Sequence, residues 1–211
     1  MTLSADQIIG KKTLLIGESG SGKTTLMGIL LLKMIQEWNI PPNQISVLDF
    51  APPRSPIGTG WLGGTVDGLF DPNSLHPRFH EIDQIMFSGV RWLRKMTGNG
   101  DADSPPFRTP RLSARNAQEI YDACLENYRL ALRQLQILVA QPTPIVMVND
   151  ITIFLHLGGL REIEKIFHQA PTAVLNGYYG IKLKPDHGSQ ISARERTMIH
   201  LLSKKTECFL L

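Results

Sequence analysis

Eight residues near the start of the chain, Gly17-Glu18-Ser19-Gly20-Ser21-Gly22-Lys23-Thr24, have the types and spacing of a phosphate cradle, G-x-x-x-x-G-K-[ST]. Glycines let the backbone turn so that successive N–H groups converge on an anion. A helix opening at the end of such a loop adds its positive pole to the same point. Lys23 is then expected on the β- and γ-phosphates, the Thr24 hydroxyl in the shell of a Mg2+ ion, and Thr25 on the α-phosphate. The chemistry implied is capture of a magnesium–nucleoside triphosphate by residues Gly17, Glu18, Ser19, Gly20, Ser21, Gly22, Lys23, Thr24 and Thr25.

Elements suited to hold that loop flank it. Thr13–Ile16 is a short apolar run stopped by Gly17, as in a buried strand. From Thr24 a helical spacing of Leu26, Ile29, Leu30, Met34 and Trp38 runs to Pro41-Pro42-Asn43. Ile45–Phe50 is a second strand. Residues 51–115 are irregular, with more than half of the chain's 14 prolines, a helix expected near Glu81–Met96 and an exposed loop over Thr97–Pro110. Asn116 and Glu119 form a capping box that opens a long amphipathic helix to about Ala140. Strands at Ile145–Val148, Ala173–Leu175 and Cys208–Leu211 alternate with helices at Leu160–His168 and, capped by Ser192 and Glu195, to about Lys205. Short, continuously apolar strands alternating with helices predict a parallel sheet covered on both faces. The fold expected is α/β: three α-β-α layers around a mostly parallel sheet of about five strands. It forms one domain over 1–211 with one long insertion, 51–115, after the second strand.

On Gly17–Thr24 and its flanking strand and helix, the chain resembles the P-loop NTPases. The resemblance implies a Mg2+–nucleotide site and a sheet with the loop strand at its centre. It also implies a second motif, an apolar strand ending in an acid that serves Mg2+; Ile145–Val148 followed by Asp150 fits, with Asn149 intervening. More loosely the chain is similar to the SIMIBI-type ATPases. Those carry an acid at the end of the second strand, here Asp49, that positions the attacking water, and a base-contacting strand ending in Asn, here Asn176, with Tyr178 or Tyr179 to stack. Lys23, Asp49 and Asp150 are thus the expected catalytic residues, Thr24 and Asp150 the Mg2+ ligands, and Asn176 a contact to the base. Two departures stand out. Glu18 occupies the place of the lysine that crosses the dimer interface in that group. Asp150-Ile151-Thr152-Ile153 and Asn176-Gly177-Tyr178-Tyr179 match neither the Asp-x-x-Gly nor the Asn-Lys-x-Asp motif of a GTPase, which favours ATP.

The 51–115 insertion is the most basic stretch, with Arg54, Arg91, Arg94, Lys95, Arg108, Arg111 and Arg115. One or two of these are candidates for gripping an anionic substrate or neutralising transition-state charge, and Gly58–Gly64 is a candidate switch segment over the γ-phosphate. His76 and His80 are four apart, but Pro77 between them breaks a helical pairing and no third metal ligand is in view. Three functions remain open: an ATPase whose nucleotide state switches 51–115 to control a protein partner or a second copy, a small-molecule kinase with Asp49 as base, and a nucleotide-binding regulator with negligible hydrolysis. Composition narrows the rest. Lys and Arg total 22 against 19 Asp and Glu, too even for a dedicated nucleic-acid binder. Cys124 and Cys208 give neither a metal spacing nor a disulfide framework. No apolar run approaches the roughly 20 residues of a membrane span. Met1–Lys12 lacks the basic-then-apolar order of a signal peptide, so a cytoplasmic protein is expected.

Overall fold

The computed structural model describes residues 3–57, 60–71, 79, 82–96, 107–183 and 186–211. His76, His80, Gly58 and residues 97–106 of the expected loop lie outside that set. The chain runs α1 (Ala5–Ile8), β1 (Lys12–Gly17), α2 (Lys23–Gln36) and β2 (Ile45–Asp49), then the hairpin strands β3 (Ser55–Ile57) and β4 (Gly60–Leu62). It continues through β5 (Arg91–Trp92), α3 (Leu93–Met96), α4 (Pro110–Ser113) and α5 (Ala117–Ala140). The last elements are β6 (Ile145–Asn149), α6 (Ile151–Leu155), α7 (Leu160–Gln169), β7 (Thr172–Tyr178), α8 (Ile191–Ser203) and β8 (Glu207–Leu210).

Six strands form one sheet in the order β5-β2-β6-β7-β1-β8, every neighbouring pair parallel. Period-2 alternation sends successive side chains to opposite faces. Leu14, Leu48, Val148 and Leu175 face a core completed by α5, α6, α7 and α8. Leu15, Val47, Met147 and Val174 face a second core completed by α1 and α2. That is why these strands read as unbroken apolar runs, and it makes the fold the three-layer α-β-α arrangement.

Three expectations need correction. The sheet has six strands rather than five because β5, inside the insertion, pairs Arg91 with Ser46 and Trp92 with Val47. That pairing is incompatible with a helix over Glu81–Met96; a single 3-10 turn at Gln84–Phe87 and the four-residue α3 stand there instead. The loop strand β1 is not central either. β7 lies between it and β6, leaving β1 next to the edge strand β8.

The insertion is less of an appendage than its composition suggests. Val66, Leu69, Phe70, Phe79, Phe87 and Val90 are buried in the α2-side core. Phe70 meets Phe79 at 5.2 Å and Phe87 at 4.4 Å between ring centroids. Aromatic side chains of this size dominate the burial of a small core, so part of the insertion substitutes for a helix on that face. Its two roots are held by amides of α5. Asn127 exchanges two hydrogen bonds with the backbone of Arg108, at 2.8 and 2.9 Å. Gln134 does the same with the backbone of Asp49, at 3.2 and 3.3 Å. Both amides are fully buried.

Candidate functional site

The residues from Gly17 to Lys23 connect the end of β1 to the start of α2, as the motif requires. Gly20 and Gly22 take left-handed φ values of 79° and 90°, a conformation in which a side chain would be strained. The first N–H groups of α2 have no acceptor within the helix and open onto the loop. Lys23 folds back over it, Nζ donating to the carbonyls of Gly17 at 2.9 Å and Glu18 at 2.6 Å. Burial lowers the Lys23 pKa, opposed by the charges of Asp150 and Glu18.

Above the loop lies a cleft of about 400 Å³. Ser19, Gly20 and Lys23–Thr25 form one side, and Asp150, Thr152 and His156 face it with Arg54, Arg111 and Glu195. Beneath it, side chains from three strands are linked. Asn149, at the tip of β6, accepts from the Thr24 hydroxyl at 3.2 Å and from Asn176 Nδ2 at 2.7 Å. Its own Nδ2 donates to Asp49 Oδ1 at 2.9 Å and to the Gly64 carbonyl at 3.2 Å. Side chains from β7, β6 and β2 are thereby tied into one buried row beneath Thr24.

That row reassigns several expected roles. The residue touching the Thr24 hydroxyl is Asn149, an amide, and Asp150 stands one place beyond it. Asp150 has a left-handed φ of 56°, fixed by its N–H donating to Asn176 Oδ1 at 2.8 Å. Its carboxylate accepts from the Thr152 hydroxyl and lines the cleft. Burial raises its pKa, and Thr152 and Lys23 act in the other direction. Asn176 does not end its strand, which continues to Tyr178, and it is 2% exposed. With Oδ1 on Asp150 and Nδ2 on Asn149 it supports the floor; a base contact does not fit that geometry.

Asp49 also departs from expectation. It is buried and does not line the cleft, accepting from Ala51 N at 3.2 Å, Val66 N at 2.6 Å and Asn149. The water-positioning role does not fit this placement; the side chain anchors the start of the insertion. Burial raises its pKa to about 7, ahead of the opposing hydrogen bonds from Asn149 and Val66. A carboxyl whose folded pKa exceeds its unfolded value binds its proton more tightly when folded. Asp49 therefore contributes its stabilisation in full below about pH 4, and loses it as the pH rises to 7. Equilibrium denaturation of wild type should show this as a slope of up to about 1.4 kcal/mol per pH unit, and Asp49→Asn should lack it.

Glu18 reaches sideways. Its Oε1 accepts from Ile181 N at 2.7 Å, latching the phosphate loop to the connection between β7 and α8. Burial would raise its pKa, but the amides of Ile181 and Lys182 and the Tyr178 hydroxyl outweigh that and hold it low. Gly180 makes the latch possible, because a Cβ there would lie 2.2 Å from the Glu18 carboxyl carbon. Gly180→Ala should lower Tm by several degrees in wild type and much less in a Glu18→Ala background. Equal losses in both would break the link between the two positions.

Two residues of the cleft wall, Glu195 and His156, were not legible in the sequence as site residues. Glu195 is no helix cap: α8 begins at Ile191 behind Gln190, and Glu195 is buried against Arg111 and His156. Asn149 had the one available signal, its position between an apolar strand and an acid. Cys124 and Cys208 are both free thiols, buried and exposed respectively.

No family model matches the sequence, and no curated protein matches it. Among the described residues, no group of three or more His, Cys, Asp or Glu side chains could hold a metal ion. No helix among them is long and apolar enough to cross a membrane.

Proposed function

We propose that the chain binds Mg2+–ATP on Gly17–Thr24 as a P-loop NTPase of slow turnover, and that its nucleotide state is passed to residues 51–115. The supporting observation is the loop itself. Two left-handed glycines, a lysine and a threonine sit between a buried strand and a helix N-terminus, and all face one cleft. Four cations, Lys23, Arg54, Arg111 and His156, line that cleft against the carboxylates of Asp150 and Glu195, which suits an anionic ligand.

The residues present fit the metal. Thr24 gives its hydroxyl proton to Asn149, which leaves its oxygen lone pairs for a hard cation. Asp150 is the acid that lines the same cleft. Mg2+ typically keeps several waters and takes one or two protein ligands plus substrate phosphates, so Thr24 with Asp150 is a sufficient set. When bound, Mg2+ would offset phosphate negative charge. The chain's own residues do the rest: loop N–H groups hold the phosphates, Lys23 exchanges the loop carbonyls for phosphate oxygens, and Glu18 keeps the loop in place.

Slow turnover is favoured over a fast ATPase because Asp49, expected to orient water, is buried outside the cleft lining with its carboxylate on Ala51, Val66 and Asn149, and an amide contacts Thr24. The same placement leaves a kinase without the base assigned to it, and the regulator with negligible hydrolysis stands as the second reading. Isothermal titration with Mg2+–ATP, Mg2+–GTP and a non-hydrolysable ATP analogue is the test. Binding should require Mg2+, favour ATP, and weaken about a hundredfold in Lys23→Ala, which loses a charge-assisted contact. Limited proteolysis of 51–115 should slow when the analogue is bound. Absence of Mg2+-dependent nucleotide binding by wild type would overturn the proposal.

A further inference from the structure

Opposite the phosphate loop, α4, α6 and α8 bring three charged side chains together inside the cleft wall. Arg111 is 7% exposed, Glu195 4% and His156 2%. A single carboxylate oxygen, Glu195 Oε2, accepts from Arg111 Nη2 and lies 2.7 Å from His156 Nε2. Burial disfavours the imidazolium, but the neighbouring Cys124 thiol and Glu195 outweigh it and push the His156 pKa up to about 9. His156 Nδ1 makes no regular hydrogen bond, which leaves Glu195 as its effective partner. Burial would likewise raise Glu195, yet His156 and Arg111 hold it below the ordinary carboxylate range.

Two cations thus share one anion in a nearly dry wall. A buried pair needs one cation for its carboxylate, and an unmatched second one is costly. All three side chains line the same cleft as Lys23 and Thr24. Of the two cations, His156 caps the C-terminus of α6. Arg111 belongs to the insertion, and its remaining contacts are weak: Nη1 to the Leu183 carbonyl at 3.3 Å, and the Tyr178 ring 5.3 Å from Cζ.

We propose that Arg111 is a ligand-contacting residue parked on Glu195, that it transfers to the terminal phosphate of a bound nucleotide, and that His156 is the counter-ion that keeps Glu195 paired afterwards. This rests on the nucleotide reading of Gly17–Thr24. A guanidinium fork matches phosphate as well as carboxylate, so the exchange replaces one charge-assisted contact with another while neutralising the surplus charge. Glu195 stays behind because α8 is fastened independently, Arg194 donating to the carbonyls of Leu155, Leu157 and Gly158. Arg111 makes the exchange with its side chain, while α4 stays anchored two residues upstream, where Asn127 holds the backbone of Arg108.

The test compares affinities for Mg2+–AMP-PNP and Mg2+–ADP, whose ratio reports contacts to the terminal phosphate alone. Arg111→Met should reduce that ratio about tenfold or more with the ADP affinity within about twofold of wild type. Arg111→Lys should recover part of it. His156→Gln should also reduce the ratio, because Arg111 would then leave Glu195 without a cationic partner. Glu195→Gln should increase it, since the competitor for Arg111 is gone. Damage to packing would weaken all variants in the same direction, so the opposite sign of Glu195→Gln is decisive. An unchanged ratio in Arg111→Met, a matching loss of ADP affinity, or a fall in Glu195→Gln would each overturn the proposal. If wild type binds neither nucleotide, the phosphate-loop reading itself has failed; if it binds both but the ratios do not move, only the role of Arg111 has.

Discussion

Asn149→Asp should destabilise the protein by about 3–5 kcal/mol at pH 7.5, the range for stranding a charge in a buried polar pair. The change is nearly isosteric, and on sequence grounds it looks like a repair of the strand-end acid. In the floor of the cleft it is the reverse. Asn149 Nδ2 is the donor that lies 2.9 Å from Asp49 Oδ1 and 3.2 Å from the Gly64 carbonyl. An oxygen in its place faces two acceptors, one of them a buried carboxylate. Such a pair ionises only once and holds the second proton, so the loss should shrink at pH 5. Exchanging the partners, Asp49→Asn with Asn149→Asp, restores a donor between the two positions. It should recover part of the stability, short by the bond to the Gly64 carbonyl and by one of the bonds from Ala51 or Val66. Urea denaturation of the four proteins at both pH values measures each term. A single Asn149→Asp variant as stable as wild type at pH 7.5 would show that Asn149 and Asp49 are not bonded as described.

Gly17→Ala should remove nucleotide binding by about a hundredfold or more, on the scale expected for displacing a positioned group by an ångström, while costing roughly 1–3 kcal/mol of stability through overpacking. The obstacle is space. A Cβ at residue 17 would lie 2.4 Å from the Leu211 carbonyl oxygen and 2.9 Å from Ser21 Oγ. The first of these is backbone, held by Leu211 N donating to Ile16 O at 2.8 Å. The strand end or the loop must move, and Lys23 Nζ is bonded to the carbonyl of that same residue. Titration with Mg2+–ATP, alongside a thermal melt, separates loss of the loop from loss of the fold. Undiminished affinity would mean that the loop tolerates the shift and that Gly17 is a packing residue alone.

The sequence announced those parts of the molecule whose chemistry is local. Gly17–Thr24 is a contiguous pattern, each strand is a contiguous apolar run, and the Asn116–Glu119 cap joins residues three apart, with Glu119 N bonded to Asn116 Oδ1 at 2.9 Å. Long-range pairings were out of reach. Nothing near Asp49 indicates that its acceptors would be claimed by Val66 and Asn149, and nothing near Glu195 indicates a partner 84 positions away on α4. Asn176 misled for a related reason. Asn-Gly is a turn signal in isolation, but pairing of Leu15 with Asn176 and Ile16 with Gly177 carries the strand through it. The position of β1 in the sheet depended on where β7 inserts, a tertiary decision that no local run encodes.

The two buried amides of α5 have an effect that extends beyond the contacts they make. Asn127 and Gln134 lie seven positions apart on the helix, about 10 Å along the axis at 1.5 Å per residue, and each grips one root of the same long excursion of the chain. The helix acts as a gauge block: it sets the gap between the roots whatever lies between them. Closure entropy grows only with the logarithm of loop length, so a chain returning to a fixed gap can gain or lose residues at small thermodynamic cost. Two side chains thus fix where the excursion leaves and rejoins the fold, so a descendant of this protein could change its length outside β5 and the buried Val66–Val90 residues that remain tied to the sheet and α2.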